Sequence, residues 1–339
     1  MKREYDHYIA VDWSIKNMAI ARMTKKSNKI TVMDVPSDVK ELQVYLKNLK
    51  GSKIMTIEET TTSQWLYTEL KDDVDKVVIC DPYRNRLLSE GPKTDKIDAS
   101  KLVQLLKADL LKEVFHDTDR FLYLRHLVSG YEDLIKAGTR LKNQRYSLLR
   151  ACGLNGNEEK GFKFERFEDQ LVLDSLDRQI EINDKEWENY EKAFKKLARQ
   201  YPEIRNQDSL PGIGLIGAVK IVARVVSPSR FPDVGHFLSY AGLVKLEKKS
   251  GMKVYGRKSS RYCSELKGVY KTGIMAAIDG NNEISDCFNY LVKEKGYAEH
   301  NARHKACRRL ATLSWGVFKS GQKYQPRLRR QNGALSRVS

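Results

Sequence analysis

The sequence predicts an α/β domain followed by mostly α-helical segments, and three observations carry that expectation. β-prone apolar runs come first and then alternate with helical patterns over residues 1–112. Two long stretches with apolar residues every three or four positions fill 113–200. From 201 to 322 the chain reads as a series of helices opened by a Pro-Gly turn, and 323–339 as a basic disordered tail.

Tyr8-Ile9-Ala10-Val11-Asp12 is the first strand-like run, followed by Asn17–Met23 and Lys29–Met33. Short turn-like segments separate them, the pattern of an antiparallel meander. Ser37 is placed to cap a helix running to about Leu49, Lys53–Ile57 forms a strand and Ser63–Leu70 a helix. Lys76–Cys80 is a further strand, closed by Asp81-Pro82. Strands first and then β-α alternation is the order of a ribonuclease-H-like fold, a mixed sheet flanked by helices.

From about Asp119 to Leu149, Leu124, Leu127, Tyr131, Leu134, Leu141 and Leu148 mark one apolar stripe. A second, with Leu173, Leu176, Ile180, Trp187 and Tyr190, runs from about Phe164 to Gln200. The segment Cys152 to Asn157, rich in Gly and Asn, joins them. Two amphipathic helices joined in this way form an antiparallel hairpin or a coiled-coil arm. Beyond Tyr201-Pro202 the pattern predicts helices over about Leu215–Val226, Ser260–Ile278, Glu283–Lys295 and His300–Lys319.

Lys and Arg number 61 against 44 Asp and Glu, a formal charge of +17, which favours a polyanionic partner. No apolar run approaches the length of a membrane span, and Met1-Lys2-Arg3-Glu4 lacks the apolar core of a signal peptide. The five scattered cysteines include no Cys-x-x-Cys pair and read as reduced thiols. A cytoplasmic, nucleoid-associated protein without a membrane partner is expected.

Within this basic chain four carboxylates stand out. Asp12 closes the first strand, Glu58 closes the run Ile54–Ile57, and Asp95 and Asp98 lie in Lys93-Thr94-Asp95-Lys96-Ile97-Asp98-Ala99 at a helix start. Residues three apart share a helix face, with Cβ atoms roughly 5–6 Å apart. Two anions held so close repel unless a cation lies between them, and hard oxygen ligands suit Mg²⁺ or Mn²⁺. A solvated helix start, where carboxylates favour the dipole, explains Asp95 or Asp98 singly. Glu59 adjoins Glu58; adjacent strand residues face opposite ways, so one of the two lines the site.

Other segments bear on nucleic acid. Leu210-Pro211-Gly212-Ile213-Gly214 before a helix is helix-hairpin-helix-like: glycines let backbone approach phosphate and the helix N-terminus offers N–H donors. Lys220 lies in that helix, and nine Lys or Arg against two Glu fall between Lys245 and Lys271. Of these, Lys248, Lys249, Arg257, Lys258 and Arg261 are the phosphate-binding candidates. On residues alone, Ser250-Gly251 is a turn. His300 and His304 have the i, i+4 spacing of zinc ligands, but no third ligand is apparent and Arg303, Lys305, Arg308 and Arg309 surround them, as in a basic nucleic-acid-facing helix. No Gly-x-x-x-x-Gly-Lys-Ser/Thr motif is present.

The order Asp12, Glu58, then Thr94 to Ala99, resembles the DEDD transposases of the insertion-sequence 110 family. The later motifs resemble them too: Leu210 to Gly214, Arg230-Phe231-Pro232, Tyr240-Ala241-Gly242-Leu243 and Ser250-Gly251. The resemblance implies a RuvC-like nuclease domain, a coiled-coil insertion and a transposase domain with a catalytic serine. It makes Asp12, Glu58, Asp95 and Asp98 the metal-binding acids and Ser250 the nucleophile, with Ser239 its nearest competitor. Where this family usually has Thr-Gly after the glutamate, Glu59-Thr60-Thr61-Thr62 follows here, and the position of Thr60 favours Glu58 over Glu59. The implied activity is bridge-RNA-guided DNA recombination through a phosphoserine link, with target and donor DNA, a structured guide RNA, and a homodimer assembling to a tetramer. Related invertases share the architecture. A metal-dependent nuclease or Holliday-junction resolvase, with Ser250 structural, is the rival enzyme, and a non-catalytic nucleic-acid-binding derivative is the other rival.

Overall fold

The computed structural model describes residues 4–83, 94–116, 122–155, 161–251, 253–258, 261–326, 329–331 and 334–336. Of the residues singled out above, Met1, Lys2, Arg3, Lys93, Asp119, Gly156, Asn157 and Ser260 lie outside the described residues, as do the side chains of Arg257 and Lys258. The chain divides into two compact units, Met1–Thr118 and Asp119–Ser339.

In the first unit, β1 (His7–Trp13), β2 (Asn17–Thr24) and β3 (Ser27–Pro36) form the meander, with β1–β2 and β2–β3 antiparallel. Helix α1 (Val39–Asn48) leads to β4 (Lys53–Glu58), which pairs with β1 in parallel. After α2 (Ser63–Leu70), β5 (Lys76–Cys80) joins β4 in parallel, giving the strand order β3-β2-β1-β4-β5. This is a mixed sheet with helices on both faces, consistent with a ribonuclease-H-like domain. Asp38, not Ser37, caps α1; its Oδ1 accepts from the Lys40 and Glu41 backbone N–H groups. Residues 112–114 run beside β5, where the Asp81 N–H donates to the Lys112 carbonyl and the Val114 N–H to that of Ile79.

The period of two sorts the side chains. Ile9, Val11, Met55, Ile57, Val77 and Ile79 pack under α1 and α2, with Leu42, Leu46, Leu66 and Leu70 opposite. The other face presents Tyr8, Ala10, Ala19, Ala21 and Ile54 to α3 (Asp95–Ala108), which contributes Ala99, Leu102, Val103 and Leu106. The small side chains of Ala10, Ala19 and Ala21 let α3 lie close to the central strands.

In the second unit, α4 (Leu122–Ala151) and α5 (Phe167–Gln200) pack antiparallel. Trp187 Nε1 donates to Tyr131 Oη at 3.1 Å, Asn183 to the Leu134 carbonyl at 3.0 Å, and Arg145 to Asp177 at 2.7 Å. Leu141, Leu176 and Ile180 form the pair's own apolar seam, with Leu148 packed against it. After α6 (Pro202–Asp208), the apolar helix α7 (Leu215–Val225) is buried through Ala218, Val219, Ile221, Val222 and Val225 and packs on α4, α5 and α9 (Ser264–Asp279). Between them lie α8 (Val234–Tyr240) and a hairpin of β6 (Leu246–Ser250) and β7 (Lys253–Lys258), and α10 (Glu283–Asn289) and α11 (Glu299–Ser320) complete the helices. A buried polar chain pins three helices: Tyr270 Oη donates to Ser314 Oγ at 2.7 Å, and Ser314 donates to Gln207 Oε1 at 2.6 Å. The tail, expected to lack regular structure, contains a short antiparallel pair, β8 (Arg329–Gln331) and β9 (Ala334–Ser336). The intervening Asn-Gly dipeptide is a strong sequence signal for a hairpin.

Candidate active site and nucleic-acid interface

The final pair of the β1–β4 ladder joins Val11 to Ile57, so Asp12 and Glu58 come next on neighbouring strands. Parallel neighbours lie about 4.8 Å apart and point to the same face. Asp12 continues the set Tyr8–Ala10 and Glu58 the set Ile54–Thr56, which puts both carboxylates on the α3 side of the sheet. Opposite Asp12 on β2 stands Ala19, which leaves room beside the carboxylate.

Helix α3 begins at Asp95. Thr94 caps it in an extended conformation, its Oγ1 accepting from the Ile97 N–H at 3.3 Å, while the Asp98 N–H donates to the Thr94 carbonyl at 2.9 Å. Asp95 and Asp98 therefore stand in the first turn, where the helix dipole favours anions. Lys96 between them turns to Asp34 of β3, 3.8 Å away.

Asp12 registers the other three acids. Partial burial, and then the charges of Asp95, Glu58 and Asp98, push its carboxyl up to about 6. Glu59 is not among these charges; its backbone N–H donates to the Cys80 carbonyl, extending the β4–β5 edge. The four carboxylates do not make a closed ligand set: among the described residues, no group of three or more His, Cys, Asp and Glu could hold a metal ion.

Ser250 is the last residue of β6, exposed at the hairpin end where it pairs with Lys253. Gly251 follows at φ +58°, the left-handed region that glycine enters freely. The serine expected in a turn thus ends a strand. Ser239 sits within α8. Lys248 and Lys249 are exposed on β6, with Lys249 3.1 Å from Glu247, and Arg261 is exposed after β7. The backbones of Arg257 and Lys258 pair with Glu247 and Leu246 across the hairpin.

Two residues expected to contact phosphate also serve packing. Lys220 forms an ion pair with Glu132 of α4, its ammonium 5.2 Å from the Tyr131 ring, so it ties α7 to α4. Gly212, at φ +71°, lies against α9: a Cβ there would come within 2.1 Å of the Gly273 carbonyl oxygen. Its missing side chain serves helix packing. Gly214 is the N-cap of α7, and a Cβ there would meet nothing within 4 Å.

His300 and His304 are on α11 and no third ligand joins them among the described residues. The five cysteines are free thiols. No helix among the described residues is long and apolar enough to cross a membrane.

Two transposase family models match parts of the chain. Residues 9–153, which include all four carboxylates, match the model of the IS110 DEDD transposase domain, described as a transposase. Residues 205–288, which include Gly212, Gly214 and Ser250, match the model described as transposase of the IS116/IS110/IS902 family. No curated protein matches the sequence.

Proposed function

The chain belongs to the insertion-sequence 110 family of transposases, and from that premise we propose that it is an RNA-guided DNA recombinase that exchanges strands through a phosphoserine link. Family membership makes it a DNA-processing enzyme of a mobile element. The observation that supports the finer reading is the convergence of Asp12 and Glu58 with Asp95 and Asp98 on one face of the sheet, which together with burial raises the Asp12 pKa.

The donor set is all carboxylate oxygen, the chemistry of a Mg²⁺ or Mn²⁺ site, and divalent charge offsets the repulsion that Asp12 reports. Asp12, Glu58, Asp95 and Asp98 would hold it. When bound, such an ion supplies positive charge that polarises a phosphodiester. Ser250 Oγ bonds to phosphorus while the bond to one sugar oxygen breaks, and the serine proton ends on that oxygen. A hydroxyl from a second strand then attacks the phosphoserine and restores the serine. Each step exchanges one phosphate ester for another, so no nucleotide cofactor is required.

Lys248 and Lys249, exposed beside Ser250, would hold backbone phosphates, with Arg257, Lys258 and Arg261 next along the same hairpin and its exit. The N-cap at Gly214 would accept a further phosphate. Exposed Phe167, Leu171 and Ile182 on α5 support the paired helices as the place where a second copy docks on the way to a dimer and tetramer. The structured guide RNA would use the same basic character.

Asp98→Asn tests the metal reading: recombination with Mg²⁺ should be lost while nucleic-acid affinity stays near that of the unmodified protein. Recombination at an undiminished rate would remove the carboxylates from the reaction.

A further inference from the structure

Behind the Ser250 hairpin, the second unit contains a cleft of about 640 Å³ between α9, α11 and the segment Gly242–Glu247. Its size falls in the range of pockets that enclose a small ligand, roughly 300–1,000 Å³. Lys267 and Lys271, four apart, share one face of α9, and His300, His304 and Arg308 form a stripe at the same spacing on α11. Lys245 enters from the segment leading into β6.

Some helix cations are matched: Arg303 with Glu299 at 2.7 Å, Arg309 with Glu283 at 3.6 Å, Lys142 with Asp184 at 3.1 Å. Among the described residues, Lys245, Lys271 and Arg308 have no ion-pair partner. Lys267 lies over the Tyr262 ring at 4.4 Å, a contact that keeps its charge. Glu247 is the one carboxylate in the described lining, and Lys249 engages it at 3.1 Å. His304 feels the excess: burial, then Lys271, His300, Arg308 and Lys245, lower its pKa. Clustered cations without counter-charge favour a bound anion.

We propose that this cleft is a phosphodiester-binding subsite, seating the DNA strand that Ser250 attacks at phosphates a few nucleotides away. The inference rests on the recombinase reading for its choice of DNA. The spacing follows from the strand between them: β6 runs from Leu246 to Ser250, and a rise of about 3.3 Å per residue puts the two ends about 13 Å apart. At about 3.4 Å per nucleotide along one strand of a duplex, that is about four nucleotides.

The test measures affinity for a fluorescent DNA duplex, without divalent metal, as salt rises from about 50 to 200 mM. Lys245→Gln combined with Lys271→Gln removes two exposed, unpaired cations with little risk to the fold. Two lost phosphate contacts should lower the salt slope by about 1.8, making the loss of affinity over that range roughly 12-fold smaller. Lys26→Gln with Lys29→Gln, the same charge change in the first unit, should leave the slope unchanged. Arg308→Gln alone should lower it by about 0.9. An equal fall in the first-unit control, or no fall in the cleft variants, overturns the subsite. A structured RNA probe in place of DNA identifies the source: an effect confined to RNA overturns the DNA assignment. The recombinase reading is judged separately, by a covalent adduct that this binding assay does not detect.

Discussion

Asp12 and Glu58 leave β1 and β4 side by side, each one residue past the Val11–Ile57 pair and each on the face that carries α3. The parallel β1–β4 pairing produces this relationship, since a one-residue slip would send one carboxylate to the α1–α2 face. Two acids on the sheet and two on a helix start then confront one another, and burial of Asp12 together with these charges raises its pKa to about 6.

That pKa predicts a pH signature in metal-free protein. An aspartate raised from its ordinary value to about 6 contributes stability that is present at acid pH and lost as pH rises through about 6. Asp12→Asn removes the ionised form, so it should melt higher than the unmodified protein at pH 7. The two melting curves should converge below about pH 4, near the ordinary aspartate value. Equal melting temperatures at both pH values would show that the Asp12 charge is not strained by its neighbours.

Gly212 and Gly214 should respond oppositely to alanine. Gly212→Ala forces a Cβ into the Gly273 carbonyl at a positive φ, and overpacking alone costs about 1–3 kcal/mol. Gly214→Ala meets open space and should change stability by no more than about 0.5–1 kcal/mol. Chemical denaturation of both variants measures the contrast; similar stability of the two would remove the packing role of Gly212.

Binding of a phosphodiester to the α9–α11 cleft should take up protons. The groups facing it are Lys245 and Glu247 from the β6 segment, Lys267 and Lys271 from α9, and His300, His304 and Arg308 from α11. Surrounding cations favour neutral His304 in the free protein, and a bound anion favours the protonated form. Affinity for DNA should therefore rise as pH falls below the ordinary histidine range, and His304→Asn should flatten that rise. A rise of undiminished size in His304→Asn would place the titrating group elsewhere.

Neutralising Lys248, Lys249, Arg257 and Lys258 together should also flatten the salt dependence of DNA and RNA binding. Each lost contact lowers the slope by about 0.9 on duplex DNA. An unchanged slope in filter-binding titrations would move the main electrostatic footprint off the hairpin.

The strands around the carboxylates were legible because they are short β-branched and apolar runs, with Tyr8–Val11 and Ile54–Ile57 bounded by polar residues. β3 was read as Lys29–Met33 but extends over Ser27–Pro36, since Asp34 interrupts its apolar pattern while pairing with Ala19. The β6–β7 hairpin left no such trace. Leu246-Glu247-Lys248-Lys249-Ser250 is exposed throughout, so backbone pairing and not alternating burial makes it a strand. The Lys220–Glu132 pair left no trace in the sequence because Glu132 is distant along the chain and joins Lys220 only through the packing of α7 on α4. The basic cleft likewise combines i, i+4 pairs from two helices, each ordinary by itself.

The central claim, strand exchange through Ser250, is tested most directly on a denaturing gel with end-labelled DNA, guide RNA and Mg²⁺. Ser250→Ala deletes one hydroxyl from an exposed hairpin end, where substitutions usually shift stability by within about 0.5 kcal/mol. The unmodified protein should give a slow, protease-sensitive band that Ser250→Ala lacks and Ser239→Ala retains. Free nicked DNA from Ser250→Ala at undiminished yield would contradict the account, making water the nucleophile and the protein a hydrolytic, resolvase-like nuclease.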